Sequence, residues 1–295
     1  MPISPRWVPL IPLVFVLLWS TGFIAAKFAL PFIEPFTLLL VRMLITMAVL
    51  VLLIQFMRTP WPNPRQAVHQ MVVGSLIHAA YLGGVFAAIK LQMPAGVASL
   101  IVGLQPILTA LLAWLLLSSR LRISQWFGLL LGLAGVSLVI IESGNLNDTP
   151  ISPGAMLAIL VALFGISIGT LYQKRYGQGS PLLTGSFFQY LATAIWMGLL
   201  SFSLETREIT WSLPLLGALA WLVIVLSIVA ILLLMVIIRE GEAARVASYF
   251  YLVPPVTAIQ GWLFFGEQLN LLALLGVAAA VFAVYLVIKA PRWRH

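Results

Sequence analysis

The sequence has no cysteine, and only 8% of its 295 residues are charged. Without cysteine the chain has no disulfide framework, no thiolate metal site and no cysteine nucleophile. Soluble domains carry about 25% charged residues, so the low charge excludes an ordinary soluble protein. Hydrophobic residues make up 62% of the chain, and its mean hydropathy is +1.10. These values predict an all-α membrane protein that has the lipid bilayer as its solvent.

Acidic residues are scarce, eight against sixteen basic ones, and each lies in a predicted loop or at the end of a predicted span. They therefore provide no carboxylate proton relay across the membrane. The chain also lacks a His-Glu-x-x-His motif and an aspartate pair within a span, which zinc and aspartyl hydrolysis require. We expect no enzyme activity, no cofactor and no metal site. An intramembrane enzyme and a pore stay alternatives.

Apolar runs of roughly 20 residues, long enough to cross a bilayer as helices, recur along the whole chain. Short connections with turn-forming residues separate them. The runs predict ten transmembrane helices, at about 8–28, 35–57, 67–89, 95–117, 123–141, 153–173, 182–203, 211–238, 246–266 and 269–289. The first run follows Arg6 as a signal peptide would. We interpret it as a transmembrane helix, because its removal would leave nine spans.

Basic residues are concentrated in one set of loops. With the N-terminus in the cytoplasm, 12 of the 16 basic residues lie on the cytoplasmic side: Arg6, Arg58, Arg65, Arg120, Arg122, Lys174, Arg175, Arg239, Arg245, Lys289, Arg292 and Arg294. The opposite side keeps Lys27, Lys90 and Arg207. The positive-inside rule therefore predicts that both termini are cytoplasmic. It also explains the net charge of +8 without a nucleic-acid partner.

One short segment is repeated at about half the chain length. Val97-Ala98-Ser99 before Pro106 returns 149 positions later as Val246-Ala247-Ser248 before Pro255. A repeat at that interval indicates two homologous halves, 1–145 and 146–295, because a solenoid needs several shorter units. Five spans per half is an odd number, so the second half enters the membrane in the opposite orientation. Such inverted repeats are typical of secondary transporters.

Several segments resemble a known family. They are Leu17-Leu18-Trp19-Ser20-Thr21 in the first span, the paired Ala-Ser-then-Pro segments of spans four and nine, and Phe265-Gly266-Glu267 before span ten. Nearly the whole chain resembles the EamA-type transporters of the drug/metabolite transporter (DMT) superfamily. The resemblance implies alternating-access export of amino acids or related small metabolites across the bacterial inner membrane, as in bacterial amino acid exporters. A carrier of drugs or other metabolites is the alternative.

Polar residues at bilayer depth indicate a transport pathway, because unpaired polar groups are costly in hydrocarbon. Gly74, His78 and Tyr81 follow an i, i+4, i+7 spacing in the third span, which predicts one helical face. His78 either bonds a neighbouring helix or lines a cavity, where it would contact a substrate carboxylate or take a proton. Tyr81 would contact the substrate by stacking or through its hydroxyl. Arg42 either reaches toward an interface or anchors a substrate carboxylate.

Spans four and nine contain helix-breaking prolines. Pro106 has no backbone N–H, so the carbonyl of the residue four positions earlier lacks its usual helical hydrogen-bond donor. Pro254 and Pro255 have the same effect on the carbonyls four positions before them. Such carbonyls can accept hydrogen bonds from a substrate ammonium. Ser99 lies on a stripe of small residues that either packs helices or makes room for a ligand. Gln105 would bond another helix or one end of an amino acid.

Aromatic residues also occur in spans one, six and nine. Trp19, Phe164, Tyr249 and Tyr251 could each serve packing or an interface, but together with Tyr81 they favour a cavity for apolar or aromatic amino acids. Separately, Gly165-x-x-x-Gly169 predicts a helix-packing face.

The mode of coupling and the assembly stay open. Either His78 carries a proton, or the protein is a facilitator or an exchanger. The expected partners are a small-molecule substrate and the lipid bilayer, and the sequence is compatible with a monomer and with a homodimer.

Overall fold

The chain is almost entirely helical wherever its structure is described. The computed structural model describes residues 11–117, 151–177, 179–230, 253–266 and 271–289, together with scattered helical positions between 123 and 135 and at 233. Most of the predicted fifth span lies outside the described residues. The one extended pairing among the described residues is an isolated antiparallel bridge between Ile33 and Ile209.

Eleven α-helical segments and two π-helical segments are described. They are α1 (Ile11–Ala29), α2 (Pro35–Met57), α3 (Pro64–Val73), π1 (Gly74–Ala80), α4 (Tyr81–Lys90), α5 (Ala95–Val102), α6 (Gln105–Leu117), α7 (Pro153–Tyr176), α8 (Leu182–Leu204), α9 (Leu213–Ala220), π2 (Trp221–Ala230), α10 (Val253–Phe265) and α11 (Leu271–Lys289).

Among the described residues, five continuous helices are long and apolar enough to cross a membrane: Pro35–Met57, Pro64–Lys90, Pro153–Tyr176, Leu182–Leu204 and Leu213–Ala230. Shorter apolar helices accompany them. The predicted boundaries agree with the observed ones within a few residues for spans two, three, six and seven. The predicted fourth span is divided by a turn at Gly103 and Leu104, directly before Pro106.

Local sequence explains why the long helices begin where they do. Helices α2, α3 and α7 start with Pro35, Pro64 and Pro153. Proline is favoured at the first helical position, because the N–H group that it lacks would have no hydrogen-bond partner within the helix there. Asn63 and Gln66 form a reciprocal capping box at the start of α3. Each boundary thus has a cause within a few residues of the chain.

The described helices form two compact units. The first unit contains residues 26–93 and 152–223, and the second contains residues 1–25, 94–151 and 224–295. Each unit takes helices from both predicted sequence halves. The halves 1–145 and 146–295 describe a repeat along the chain and are therefore a different division from the units, which describe packing.

Glycines permit close helix contacts in the first unit, where π1 packs against α7 and α8. A Cβ at Gly165 would lie 2.8 Å from the Cβ of Ala80, and one at Gly169 would lie 2.6 Å from Cγ1 of Ile77. The predicted packing face of Gly165 and Gly169 is thus confirmed. Where π1 packs against α8, a Cβ at Gly74 would overlap the backbone of Gln189.

In the second unit, the broken fourth span packs against α10. A Cβ at Gly103 would lie 2.8 Å from Cγ of Pro254, so the turn that interrupts the helix also contacts the proline of span nine. Ser20 donates to the carbonyls of Val16 at 2.7 Å and Val253 at 3.5 Å, which ties α1 to the start of α10.

Candidate functional site

A group of polar and aromatic side chains meets well inside the long helices of the first unit. Arg42 lies on α2, His78 on π1, Tyr81 at the start of α4, and Gln189 and Tyr190 on α8. The Arg42 guanidinium is within electrostatic range of His78, Tyr81 and Tyr190. The rings of His78 and Tyr190 are 4.9 Å apart and tilted by 48°. We call these five residues the Arg42 group.

The Arg42 group is shielded from solvent. Arg42 and Tyr81 are each 6% exposed and Gln189 is 8% exposed, while His78 is partly buried. Arginine is almost never buried without partners, because removal of its charge from water is costly. A buried arginine inside an apolar span therefore indicates a functional site.

A chain of hydrogen bonds leads from the Arg42 group to one end of the unit. His78 Nε2 lies 3.0 Å from Gln189 Oε1, and Gln189 Nε2 donates to Gln70 Oε1 at 2.6 Å. Gln70 Nε2 then donates to the backbone oxygen of Gly177 at 3.1 Å. These three hydrogen bonds link π1, α8, α3 and the end of α7.

The π-helical geometry changes how the third span presents its residues. The Tyr81 N–H donates to the carbonyl of Leu76, five residues earlier, as is typical of a π-helix. The predicted α-helical spacing of Gly74, His78 and Tyr81 is therefore replaced by a wider turn. Gly74 and His78 both contact Gln189 of α8, and His78 and Tyr81 both belong to the Arg42 group. Short π segments occur frequently at functional sites.

The side chains of the Arg42 group have the chemistry that recognition of a small zwitterion requires. A guanidinium holds a carboxylate through two parallel hydrogen bonds. A neutral imidazole offers one donor and one acceptor, and tyrosine rings offer apolar surface with a polar end. The group thus has partners for a carboxylate, an amine and an apolar side chain.

Other predicted site residues lie in the second unit. Ser99 is 2% exposed, and its hydroxyl donates to the Gly96 carbonyl at 2.8 Å, as a packed helical serine does. Trp19 is partly buried, with its ring 5.3 Å from that of Phe15. Gln105 follows the helix break and is also partly buried. The substrate roles predicted for Trp19, Ser99 and Gln105 stay predictions.

One predicted aromatic contact, Phe164, is not brought to the Arg42 group, and two others lie outside the described residues. Phe164 is 45% exposed and shares an apolar outward stripe of α7 with Leu157, Leu160, Val161 and Ile168, away from the glycine face that packs on π1. Tyr249 and Tyr251 lie outside the described residues.

Sequence reasoning missed Gln70, Gln189 and Tyr190. The available signal was a polar residue inside an apolar run, which is costly unless it is bonded. Gln189 lies inside the predicted span 182–203 and met this criterion. Its partner His78 is 111 positions away, and a single sequence gives no measure of that proximity.

Comparison with known proteins agrees with the fold and the composition. The EamA-like transporter family model matches residues 6–141 and 152–289. A transporter of Bacillus subtilis, YdfC, is 30% identical over 90% of this chain and 85% of its own. A probable amino-acid metabolite efflux pump of Salmonella typhimurium is 26% identical over 96% of this chain and 95% of its own.

Two further comparisons point the same way. YedA, an inner membrane transporter of Escherichia coli, is 28% identical over 95% of this chain and 90% of its own. One crystal structure, 24% identical, matches with a TM-score of 0.63 over 96% of each chain, which supports the fold. The chain therefore belongs to the EamA-like transporter family of the drug/metabolite transporter superfamily, and it is a multi-pass membrane transporter.

Proposed function

We propose that this protein exports amino acids or closely related small metabolites across the bacterial inner membrane by alternating access. Its ten spans form two inverted repeats of five helices, with both termini in the cytoplasm. The buried Arg42 group carries this proposal, because it combines a carboxylate partner with an imidazole and apolar ring surface.

Two observations support the repeat and the topology. The family model matches once in each half of the chain. In the first unit, Glu205 at the end of α8 accepts hydrogen bonds from the N–H groups of Phe36 and Thr37 at the start of α2, each at 2.7 Å. The acidic Glu34 and Glu205 therefore share one end of the unit.

Three basic residues of the first unit lie at its other end, although Arg207 donates a backbone hydrogen bond to Glu34 at the acidic end. Gln66 donates to the Gly179 oxygen at 3.4 Å, which brings the start of α3 near the loop after α7. Arg65 and the Lys174-Arg175 pair belong to these two segments. The positive-inside rule assigns this end to the cytoplasm and the acidic end to the opposite side.

The topology is testable with single cysteines, because the native chain has none. Asn147→Cys should react with a membrane-impermeant thiol reagent from the periplasmic side, whereas Arg65→Cys should react from the cytoplasmic side. Labelling of position 147 from the cytoplasm alone would contradict the proposed orientation.

In the proposed mechanism Arg42 holds the substrate carboxylate, while His78 and the tyrosines contact the amine and the side chain. The roles predicted for Trp19, Ser99, Gln105 and the proline-freed carbonyls belong to the same proposal. The driving force stays open between proton coupling through His78 and facilitated or exchange transport.

A transport assay tests the substrate class and the role of Arg42 together. Purified protein in proteoliposomes should move labelled amino acids, measured with and without a pH gradient. Arg42→Met removes the carboxylate partner and should reduce apparent affinity roughly tenfold to a hundredfold, the worth of one hydrogen bond to a charged group. Arg42→Lys keeps the charge without the paired geometry and should lose less.

The control is Phe56→Ala on the same helix, because Phe56 is 87% exposed and its loss should leave transport unchanged. Movement of nucleotide-linked sugars or cationic drugs, but of no amino acid, would overturn the substrate assignment.

A further inference from the structure

The hydrogen-bond chain that starts at His78 has a direction. It ends on the backbone oxygen of Gly177, and a carbonyl oxygen can only accept. Gln70 must therefore turn its NH₂ group toward Gly177 and its oxygen toward α8. That oxygen accepts from Gln189 Nε2 at 2.6 Å, so the Gln189 amide is oriented as well.

The orientation of Gln189 leaves its oxygen facing His78. Oε1 of Gln189 lies 3.0 Å from Nε2 of His78, and an amide oxygen accepts hydrogen bonds but does not donate them. Nε2 must therefore carry the proton. In the neutral imidazole the other nitrogen, Nδ1, then has the lone pair and acts as an acceptor.

We infer that Gln70 and Gln189 are positioning residues that hold His78 in its Nε2–H tautomer, so that Nδ1 presents an acceptor to the ammonium group of the substrate. The second part rests on the proposed function. His78 would thus bind the amine, and Arg42 of the same group would bind the carboxylate.

The packing around the chain is suited to positioning. Gln70 is 4% exposed and Gln189 is 8% exposed, so water has little access to compete for their amides. Thr193 donates to the Gln189 backbone oxygen at 2.8 Å and to the Gly74 oxygen at 3.2 Å, which joins α8 to the start of π1. The backbone that carries Gln189 is therefore linked to the start of the segment that carries His78.

The hydrogen-bond chain from His78 to Gly177 does not serve as a proton relay. Each amide would have to take up a proton on its oxygen and release one from its nitrogen, and neutral amides are not acid–base groups at physiological pH. Its role is orientation of the imidazole, in the way that a hydrogen bond to one ring nitrogen sets the tautomer of a histidine.

The tautomer can be measured directly on the full-length protein in lipid nanodiscs without substrate. Ring-¹⁵N-labelled histidine reports whether each nitrogen carries a proton, and a His78→Gln sample identifies the His78 signals. We expect a protonated Nε2 and an unprotonated Nδ1. A protonated Nδ1 with a bare Nε2 would overturn the inference. Because no substrate is present, this result is independent of what the protein transports.

Two variants of Gln70 separate positioning from general stability. Gln70→Met lacks the amide that orients Gln189, so the His78 signals should show a mixture of tautomers. Gln70→Glu still accepts from Gln189 and should keep the Nε2–H form. His69, which is bonded to Tyr172 at 2.8 Å instead, provides an internal signal that shows whether the helix remains folded. Unchanged His78 signals in Gln70→Met, with His69 also unchanged, would contradict the positioning role.

The link to substrate recognition has its own readout. In proteoliposomes, an amino acid should compete with the labelled substrate better than the same molecule without its amine. Gln70→Met should reduce this preference by up to about tenfold, and Gln70→Glu should restore it. If the tautomer is confirmed and the preference does not change, the ammonium assignment fails. If no amino acid is transported at all, the proposed function fails while the tautomer result stands.

Discussion

The two π-helical segments occupy equivalent positions of the repeat but differ in chemistry. At the 149-residue interval that relates residues 97–99 to 246–248, π1 at 74–80 corresponds to 223–229, and π2 covers 221–230. Where π1 has Gly74 and His78, π2 has Val223 and Ser227. Tyr81, which follows π1, corresponds to Ala230.

In these two segments the same backbone geometry therefore occurs with different side-chain chemistry. The widened helical turn is present in both halves, although all seven residues of 74–80 differ from their counterparts in 223–229. The Arg42 group takes His78 from π1, whereas π2 has one hydroxyl, Ser227, and one indole, Trp221, among aliphatic residues. Ser227 and Val223 in π2 are each 3% exposed, so the residues that correspond to His78 and Gly74 are also buried.

The largest expected effect is at Gly74, where the two segments differ in size. Gly74→Val introduces the residue that π2 has at this position, and its Cβ would overlap the backbone of Gln189. Overpacking against an unyielding backbone costs about 3 kcal/mol or more, so we expect little folded protein by size-exclusion chromatography. Gly217→Ala, with nothing within 4 Å of its Cβ, should fold normally. A Gly74→Val protein with a native melting temperature would contradict the proposed need for close packing at π1.

The next effect concerns the chemistry of π1. His78→Ser places the π2 residue in the Arg42 group and shortens the side chain, so the contact with Gln189 and the imidazole acceptor are both lost. Apparent affinity for amino acids should fall roughly tenfold to a hundredfold, measured by transport at equal amounts of folded protein. Ser75→Ala, in the same segment but bonded to the exposed Trp196 at 2.9 Å, is the matched control. Full transport by His78→Ser would remove the functional distinction between π1 and π2.

A smaller effect is expected at the acidic end of the first unit. Glu205→Gln replaces two acceptor oxygens, which cap Phe36 and Thr37, by one. Loss of such a cap costs about 1 kcal/mol of unfolding free energy, detectable as a lower melting temperature with transport retained. Glu208→Gln should melt as the native protein does, because Glu208 is exposed. Equal melting temperatures for both variants would show that the carboxylate cap contributes nothing measurable.

The smallest effect is expected at the surface. Trp211 is 59% exposed and lies just before α9, where an interfacial tryptophan is predicted. Trp211→Ala should therefore leave transport in proteoliposomes nearly unchanged. A large loss of transport would contradict this prediction and would indicate that Trp211 belongs to the functional site.

Much of the fold could be predicted because its causes are local. The boundaries of α2, α7 and α8 follow from apolar runs that end at proline, glycine or charged residues, and the structure confirms them within a few positions. Arg42, His78 and Tyr81 were identified as candidates by the cost of polar groups in an apolar run, and the structure brings the three together. Phe164 was grouped with them by residue type, a criterion that does not tell an outward aromatic side chain from an inward one.

The sequence by itself determined the solvent, the helical class and the family, because each depends on composition or on order along the chain. Only the tertiary structure decided that residues 74–80 are π-helical and that His78 meets Gln189, 111 positions away. The physical reason is that helix packing, and not spacing within one helix, sets which polar groups share a buried space. The direction of the Gln70–Gln189–His78 chain follows from that packing, since it depends on a backbone carbonyl at the end of another helix.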